Sequence, residues 1–297
     1  MRNTFGLSIA AAFMVTAVSV AVAYDSGGSS WGGYGSGSCA SGDGSTQSRS
    51  LQVVGLTSDQ RLVCFNEFSP GSPSTIGFVS GLFTDTTLVG IDFRVQDRKL
   101  YGVGNAGGVY LLDTSNGTAT LVNRLSVALS GTSFGVDFNP AADRLRIVSD
   151  TGQNLRHNVN AGGVTVTDAP LNYGGVTASG IVGSAYTNND LDALTATTLY
   201  ALDSNLDQIA LQSPPNNGSL AATGKLTVDT GAAAGLDIYS TIRNGVTVDV
   251  QALAVLSAAD GSTALYSVKL ATGKATARGG FGATMKVVDI AIPLNQL

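Results

Sequence analysis

The chain has one histidine, one glutamate, one tryptophan and two cysteines in 297 residues, and only 12% of it is charged. A Ser-His-Asp relay therefore has one place to form, around His157. No nucleophile-elbow pattern lies near it, and its position beside Arg156 reads as an exposed histidine of an outer strand. With Glu67 the sole glutamate, the remaining carboxylates are all aspartates. No Cys/His spacing suits a zinc site, and the Asp/Asn/Gly turns lack the ligand pattern of an EF-hand. No stripe of Lys and Arg follows a phosphate backbone, so nucleic acid is not an expected partner.

Long apolar runs are equally scarce. The one present, from Phe5 to Val22, follows Arg2 and ends at Ala21-Val22-Ala23, the layout of a secretory signal with a small-residue cleavage site. A retained anchor is the alternative, because the run approaches the ~20 residues that span a bilayer. The expectation is a signal peptide over 1–23, then an exported chain, periplasmic or extracellular, with no transmembrane segment. Without Arg2 that chain carries 15 basic and 21 acidic residues, which favours solubility. An even cysteine count in an oxidising compartment favours a Cys39–Cys64 disulfide. Ser36-Gly37-Ser38 lacks the apolar position of a lipobox, so Cys39 is not read as a lipid-anchor site. Residues 24–50 are dominated by Gly and Ser and read as a flexible linker.

What the sequence has in abundance is repetition. Gly90-Ile91-Asp92-Phe93 recurs 45 residues later as Gly135-Val136-Asp137-Phe138, and each continues through three further short strands separated by Gly/Asn/Asp turns. Four strands per ~40–50 residues is the pattern of a β-propeller blade. Further units begin near Ile181 and Leu236. The first segment, from Leu51, offers only three strands, and Val287-Val288-Asp289-Ile290 near the end is a fourth without partners. Joined, they complete a blade and remove exposed sheet edges. The expected fold is all-β: a five-bladed β-propeller over 51–297, closed by pairing the C-terminal strand with the first blade.

Gly135 to Pro140, Asp143 to Arg146, Ser149 to Arg156, Tyr186 to Asn188 and Gln212 to Gly218 resemble an exported bacterial family, domain of unknown function 4394, with propeller-like repeats. The resemblance covers about residues 51–294. It implies the fold and export but brings no activity or site. One departure is His157, where an apolar or β-branched residue is expected.

Two regions are candidate sites. Asp92, Asp137, Asp237 and Asp289 occupy equivalent places in four of five innermost strands, with Ala185 in the fifth. They would ring the axis, either holding a divalent cation or bonding backbone amides of neighbouring blades; the second reading is favoured because residues with distinct catalytic jobs should differ between blades. Turns between the second and third strands form the other region, with Asn105, Asp150, Asn154 and Asp260, to which Arg144, Arg146 and Arg156 add positive charge able to clamp a carboxylate- or sugar-bearing ligand. The plain alternative is a solvated rim with Arg144 or Arg146 paired to Asp143 or Asp150. The loop from Leu211 to Leu220 reads as a rigid cap. The expected function is a non-enzymatic binding or scaffold module for a protein or glycan, monomeric and without a cofactor. The rival is a carbohydrate- or lactone-directed hydrolase or lyase acting at the axial Asp residues, metal-dependent if they hold a cation.

Overall fold

The computed structural model describes Cys39, residues 50–192 and 194–294, and Gln296, all within the unit Gly33–Leu297. The expected signal peptide, and the expected linker apart from Cys39 and Ser50, lie outside the described residues. Among the described residues no helix is long and apolar enough to cross a membrane.

The chain opens with β1 (Gln52–Thr57), β2 (Arg61–Asn66) and β3 (Ser74–Phe78). Next come β4 (Leu88–Phe93), β5 (Leu100–Gly104), β6 (Gly108–Leu112) and β7 (Ala119–Arg124). The third unit is β8 (Phe134–Asn139), β9 (Arg144–Ser149), β10 (Asn154–His157) and β11 (Thr165–Thr167), followed by a small hairpin, β12 (Asn172–Tyr173) and β13 (Val176–Thr177). The fourth is β14 (Ile181–Tyr186), β15 (Leu199–Asp203), β16 (Gln208–Gln212) and β17 (Leu220–Lys225). The fifth is β18 (Gly235–Arg243), β19 (Val246–Ser257), β20 (Thr263–Val268) and β21 (Ala275–Gly280), and β22 (Val287–Ala291) ends the chain. Five antiparallel four-stranded sheets result, in a five-bladed β-propeller. Blade 1 has the order β22-β1-β2-β3, so the last strand closes the ring against the first, with Gly55 opposite Ile290.

Burial explains the sequence pattern. β14 is buried at all six positions and β5 at all five, because inner strands are covered on both faces by neighbouring blades. The outer strands β7, β17 and β21 bury little beyond their first residue. Apolar clusters fill the seams: Leu56 and Leu62 against Ile91 and Leu100 between blades 1 and 2, and Tyr101 and Val103 against Val136 and Leu145 between blades 2 and 3. Val182 and Leu202 meet Leu236 and Ile238 between blades 4 and 5, and Leu253 and Val255 meet Val53 and Phe65 between blades 5 and 1. The seam between blades 3 and 4 has the smallest cluster, around Val148, Ile181 and Ala201.

Outer strands touch the next blade through backbone. A Cβ at Gly77 in β3 would lie 2.0 Å from the Asn116 carbonyl oxygen of the β6–β7 turn, and one at Gly224 in β17 would lie 2.0 Å from that of Thr272 in the β20–β21 turn. Glycine is the residue that allows this approach.

His157 corrects the reading of an exposed strand histidine. It is fully buried, with Nδ1 3.0 Å from Thr165 Oγ1 and Nε2 2.9 Å from Asn123 Oδ1. It fills the apolar place expected there while both ring nitrogens find partners, and burial pushes its pKa down to about 4. The hairpin of β18 and β19 is longer than the repeat suggested.

Cys39 and Cys64 are joined across a separation of 25 residues. A closed loop of that length restricts the unfolded chain by about 3 kcal/mol. Reduction should therefore lower the thermal midpoint by several degrees, at ~2–4 °C per kcal/mol for a domain of this size. Scanning calorimetry of the intact chain with and without dithiothreitol, with Cys64→Ser as the reference, measures it.

Candidate functional site

The third seam carries the most unusual chemistry in the molecule. Asp137, Arg146 and Arg156 lie opposite one another across β8, β9 and β10, so their side chains share the sheet face toward blade 4. There the wall is Tyr186, at the end of β14, and the loop after β16, which turns through a short 3-10 segment at Pro215–Asn217. Between these walls lies a cleft of about 250 Å³, lined by Asn139, Arg144, Arg146, Arg156, Tyr186 and Asn216 together with Ala142 and Pro215.

Arg146 forms its floor and is 1% exposed. Its Nη1 donates to Asp168 Oδ2 at 2.6 Å and to Asn154 Oδ1 at 2.7 Å, its Nη2 to Asn216 Oδ1 at 3.0 Å, and its Nε to the Tyr186 hydroxyl at 3.3 Å. Arg156 makes a two-point fork with the same Asp168 at 2.7 and 2.8 Å, which raises the Arg156 pKa. Arg144, half-buried at the start of β9, donates to the backbone carbonyls of Ala142 and Asp143 rather than to a carboxylate. Three guanidinium groups thus meet around the Asp168 carboxylate, while Asp137 on the same face is held well above the usual carboxylate range by burial and Asp143 is forked by Arg94, which leaves the cleft positive in a chain whose net charge is −5.

The expected rim pairs of Arg144 and Arg146 with Asp143 and Asp150 are not what forms. Arg94 of blade 2 takes Asp143 in a fork at 2.7 and 2.5 Å, and Asp150 accepts from Thr132 at 2.9 and 2.6 Å. Arg146 pairs instead with Asp168, which the sequence did not single out. Of the expected ligand residues, Arg144, Arg146 and Arg156 line the cleft and Asn154 supports it. Asn105 accepts from the Thr86 and Thr87 amides of its own blade, and Asp260 accepts from Ser262 in its own turn, which lowers its pKa. Asp150, Asn105 and Asp260 lie apart from the cleft. The loop from Leu211 to Leu220 seals the seam: Asn216 reaches Arg146, and its carbonyl accepts from the Ala169 amide.

At the axis, Asp92, Asp137 and Asp237 bring carboxylate oxygens within 4.8 Å of one another, all buried. Each axial Asp also accepts a backbone amide from the next blade. Asp289 takes Ile91 N–H at 2.8 Å, Asp92 takes Phe138 N–H at 2.7 Å, Asp137 takes Tyr186 N–H at 3.2 Å and Asp237 takes Ile292 N–H at 2.5 Å. Ala185 leaves the fourth blade without this latch. Burial, reinforced by neighbouring carboxylates, holds Asp92, Asp137 and Asp289 well above the usual carboxylate range, and burial raises Asp237 to about 6.

A folded-state pKa above the unfolded one stabilises the fold fully below the unfolded value of 3.8 and loses that contribution as pH rises through the folded value. Asp137→Asn keeps an acceptor for Tyr186 N–H and removes the ionisation. Its thermal midpoint should fall less than that of the unsubstituted chain between acid and neutral pH, and should be higher at pH 7. His157 acts oppositely, losing stability as pH drops from 6.5 toward 4, equally in both proteins. Melting curves across pH 4–8 give the difference directly.

Among solved structures, similar chains include a structural genomics protein of unknown function from Bacteroides thetaiotaomicron VPI-5482, at 14% identity and a TM-score of 0.41, covering 87% of this chain and 71% of that one. An auxiliary nutrient binding protein from the same strain is similar at 12% identity and a TM-score of 0.37, over 71% of this chain and 55% of that one, so this chain spans about half its length. The computationally designed Ika4 protein is similar at 12% identity and a TM-score of 0.34, over 65% of this chain and 98% of that one. No curated protein matches. The family model described as a domain of unknown function (DUF4394) matches residues 61–291, most of the propeller, and the chain belongs to that family.

Proposed function

We propose that this is an exported, non-enzymatic binding module that takes a protein or glycan ligand at the cleft between blades 3 and 4, in the periplasm or outside the cell. The observation that carries this reading is the composition of that seam. Every seam has an apolar cluster and this one has the smallest; beside it lies the largest fully buried side chain among the described residues, Arg146, with Asp168, Asn154 and Tyr186 around its guanidinium. A buried ion pair is weak as a stabilising device, and apolar residues of similar volume often serve as well or better. A buried charge network opening onto a cleft is accordingly read as a site.

Every lining residue except Ala142 comes from the stretches on which the family resemblance rests. Those stretches are scattered over some 80 residues and meet at this cleft. The bond between Cys39 and Cys64 supports export, since disulfides persist in oxidising compartments. A single chain closes its own ring, so a monomer suffices for this function, and the cleft calls for no cofactor.

The axial carboxylates favour a second reading, a hydrolase or lyase using a divalent cation, because three oxygen donors lie within 4.8 Å of one another. It ranks lower because the four Asp residues are only 4–7% exposed and each already holds a neighbouring backbone amide.

A glycan panel read by thermal midpoint separates the two. A ligand at a hundred times its dissociation constant stabilises the native state by ~2.7 kcal/mol. The module reading expects such a shift with the unsubstituted chain and its loss in Arg156→Ala, with the glycan recovered uncleaved. Cleavage of the glycan, abolished by EDTA and by Asp137→Asn, would instead establish the axial reading.

A further inference from the structure

We infer that the cleft between blades 3 and 4 recognises the carboxylate of a single hexuronic acid unit, gripped by Arg144 and Arg156, with its hydroxyls met by Asn139, Asn216 and Tyr186. This rests on the binding-module reading above and deepens it to a ligand class.

Donor arithmetic is the first support. Among the described residues, Arg146 has four hydrogen bonds to protein groups, so its guanidinium is committed to the floor. Arg156 uses Nε and Nη2 on Asp168, and Nη1 has no partner among the described residues. Arg144 uses Nη1 on two carbonyls and has Nε and Nη2 in hand. Two arginines lining one cleft therefore retain guanidinium donors suited to the planar, two-point geometry of a carboxylate.

Charge is the second. Asp168 offsets one of three guanidinium groups and is 4% exposed at its side chain, so it is already enclosed by Arg146 and Arg156. Asp143, the nearest carboxylate to Arg144 in sequence, is forked by Arg94, and Arg144 makes no ion pair with it although its charge still helps hold the Asp143 carboxyl below the usual range. An incoming anion would complete the pairing that the chain withholds.

Size and the remaining lining set the body of the ligand. At about 250 Å³ the cleft is smaller than the ~300–1,000 Å³ of pockets for drug-sized ligands, which suits one sugar ring. Asn139 Oδ1 already accepts the Ala141 and Ala142 amides and Asn216 Oδ1 accepts Arg146 Nη2, so these two residues offer their side-chain amide nitrogens as donors beside the Tyr186 hydroxyl, and the neutral part of the wall is polar. A polyol body fits this surface better than an apolar acid. Phosphate would meet the same guanidinium chemistry, and the experiment includes it for that reason.

The test is calorimetric titration of the intact chain with D-galacturonate, D-galactose and inorganic phosphate, at low and moderate salt. Galacturonate is expected to bind at least tenfold more tightly than galactose and more tightly than phosphate, and to weaken with added salt. Arg144→Ala should remove most of the preference for the acid, because its present bonds are to two surface carbonyls and its loss leaves the buried floor intact. Arg144→Lys should restore only part, since an ammonium cannot form the fork. Unchanged melting of both variants in the absence of ligand shows that they are folded. Equal affinity for galacturonate and galactose, with both lost in Asn216→Ala, overturns the carboxylate inference and leaves the binding-module reading in place. Tighter binding of phosphate, no response to galacturonate, or galacturonate binding unaffected by Arg144→Ala each overturns it as well. Binding of a larger glycan from the panel, lost in Arg156→Ala, would then still support the module reading independently.

Discussion

In a closed ring of blades every sheet has two neighbours, so each seam must be filled from both sides at near-crystalline density or the ring loosens. This constraint governs the sequence. It makes β5 and β14 buried throughout instead of alternating, and it leaves the outer strands free to be polar. It also explains the need for β22: without it, blade 1 would lack its innermost strand and the ring would have two open edges. The glycines that admit a neighbour's turn, Gly77 and Gly224, serve the same end at the circumference.

Apolar packing has no direction, and the axial aspartates add it. Each carboxylate accepts an amide from the following blade's innermost strand or the residues just beyond β22, which fixes the register between sheets near the axis, as the backbone contacts of the outer strands do at the circumference. Enclosing four carboxylates raises their pKa values, so the latch is electrostatically easiest to keep when protons are shared among them. One arrangement thus accounts for the recurrence of Asp92, Asp137, Asp237 and Asp289 without requiring that they act on a substrate.

The fold was legible because it is written in local, repeated signals: strand period, turn residues, an incomplete first unit and an orphan last strand. The cleft was legible only in part. Arg144, Arg146 and Arg156 stood out as a cluster of charge on one blade, and the register of β9 against β10 brings the last two side by side. Their partners did not stand out, because Asp168 is an ordinary Asp beyond a short strand, and Asn216 and Tyr186 belong to the next blade. No spacing within one repeat can report a contact between repeats. His157 failed for a related reason. A histidine beside an arginine looks exposed until the hydroxyl of Thr165 and the amide of Asn123, 34 residues away, are seen to enclose it.

Tyr186 joins the axis to the cleft. Its backbone amide is held by Asp137, and its hydroxyl receives Arg146 Nε, so the residue is fixed at both ends by groups from blade 3. Burial raises the pKa of its hydroxyl, keeping it neutral and able to accept from the guanidinium. The position beside it is Ala185, the one innermost-strand site without an axial carboxylate. Blade 4 therefore gives up its own latch to blade 5 while receiving two attachments from blade 3. The seam with the smallest apolar cluster is thus tied by hydrogen bonds as well, and those bonds fix the floor of the cleft. A site built this way loses little further freedom on binding, which is the condition under which a small anionic ligand can be held by few contacts.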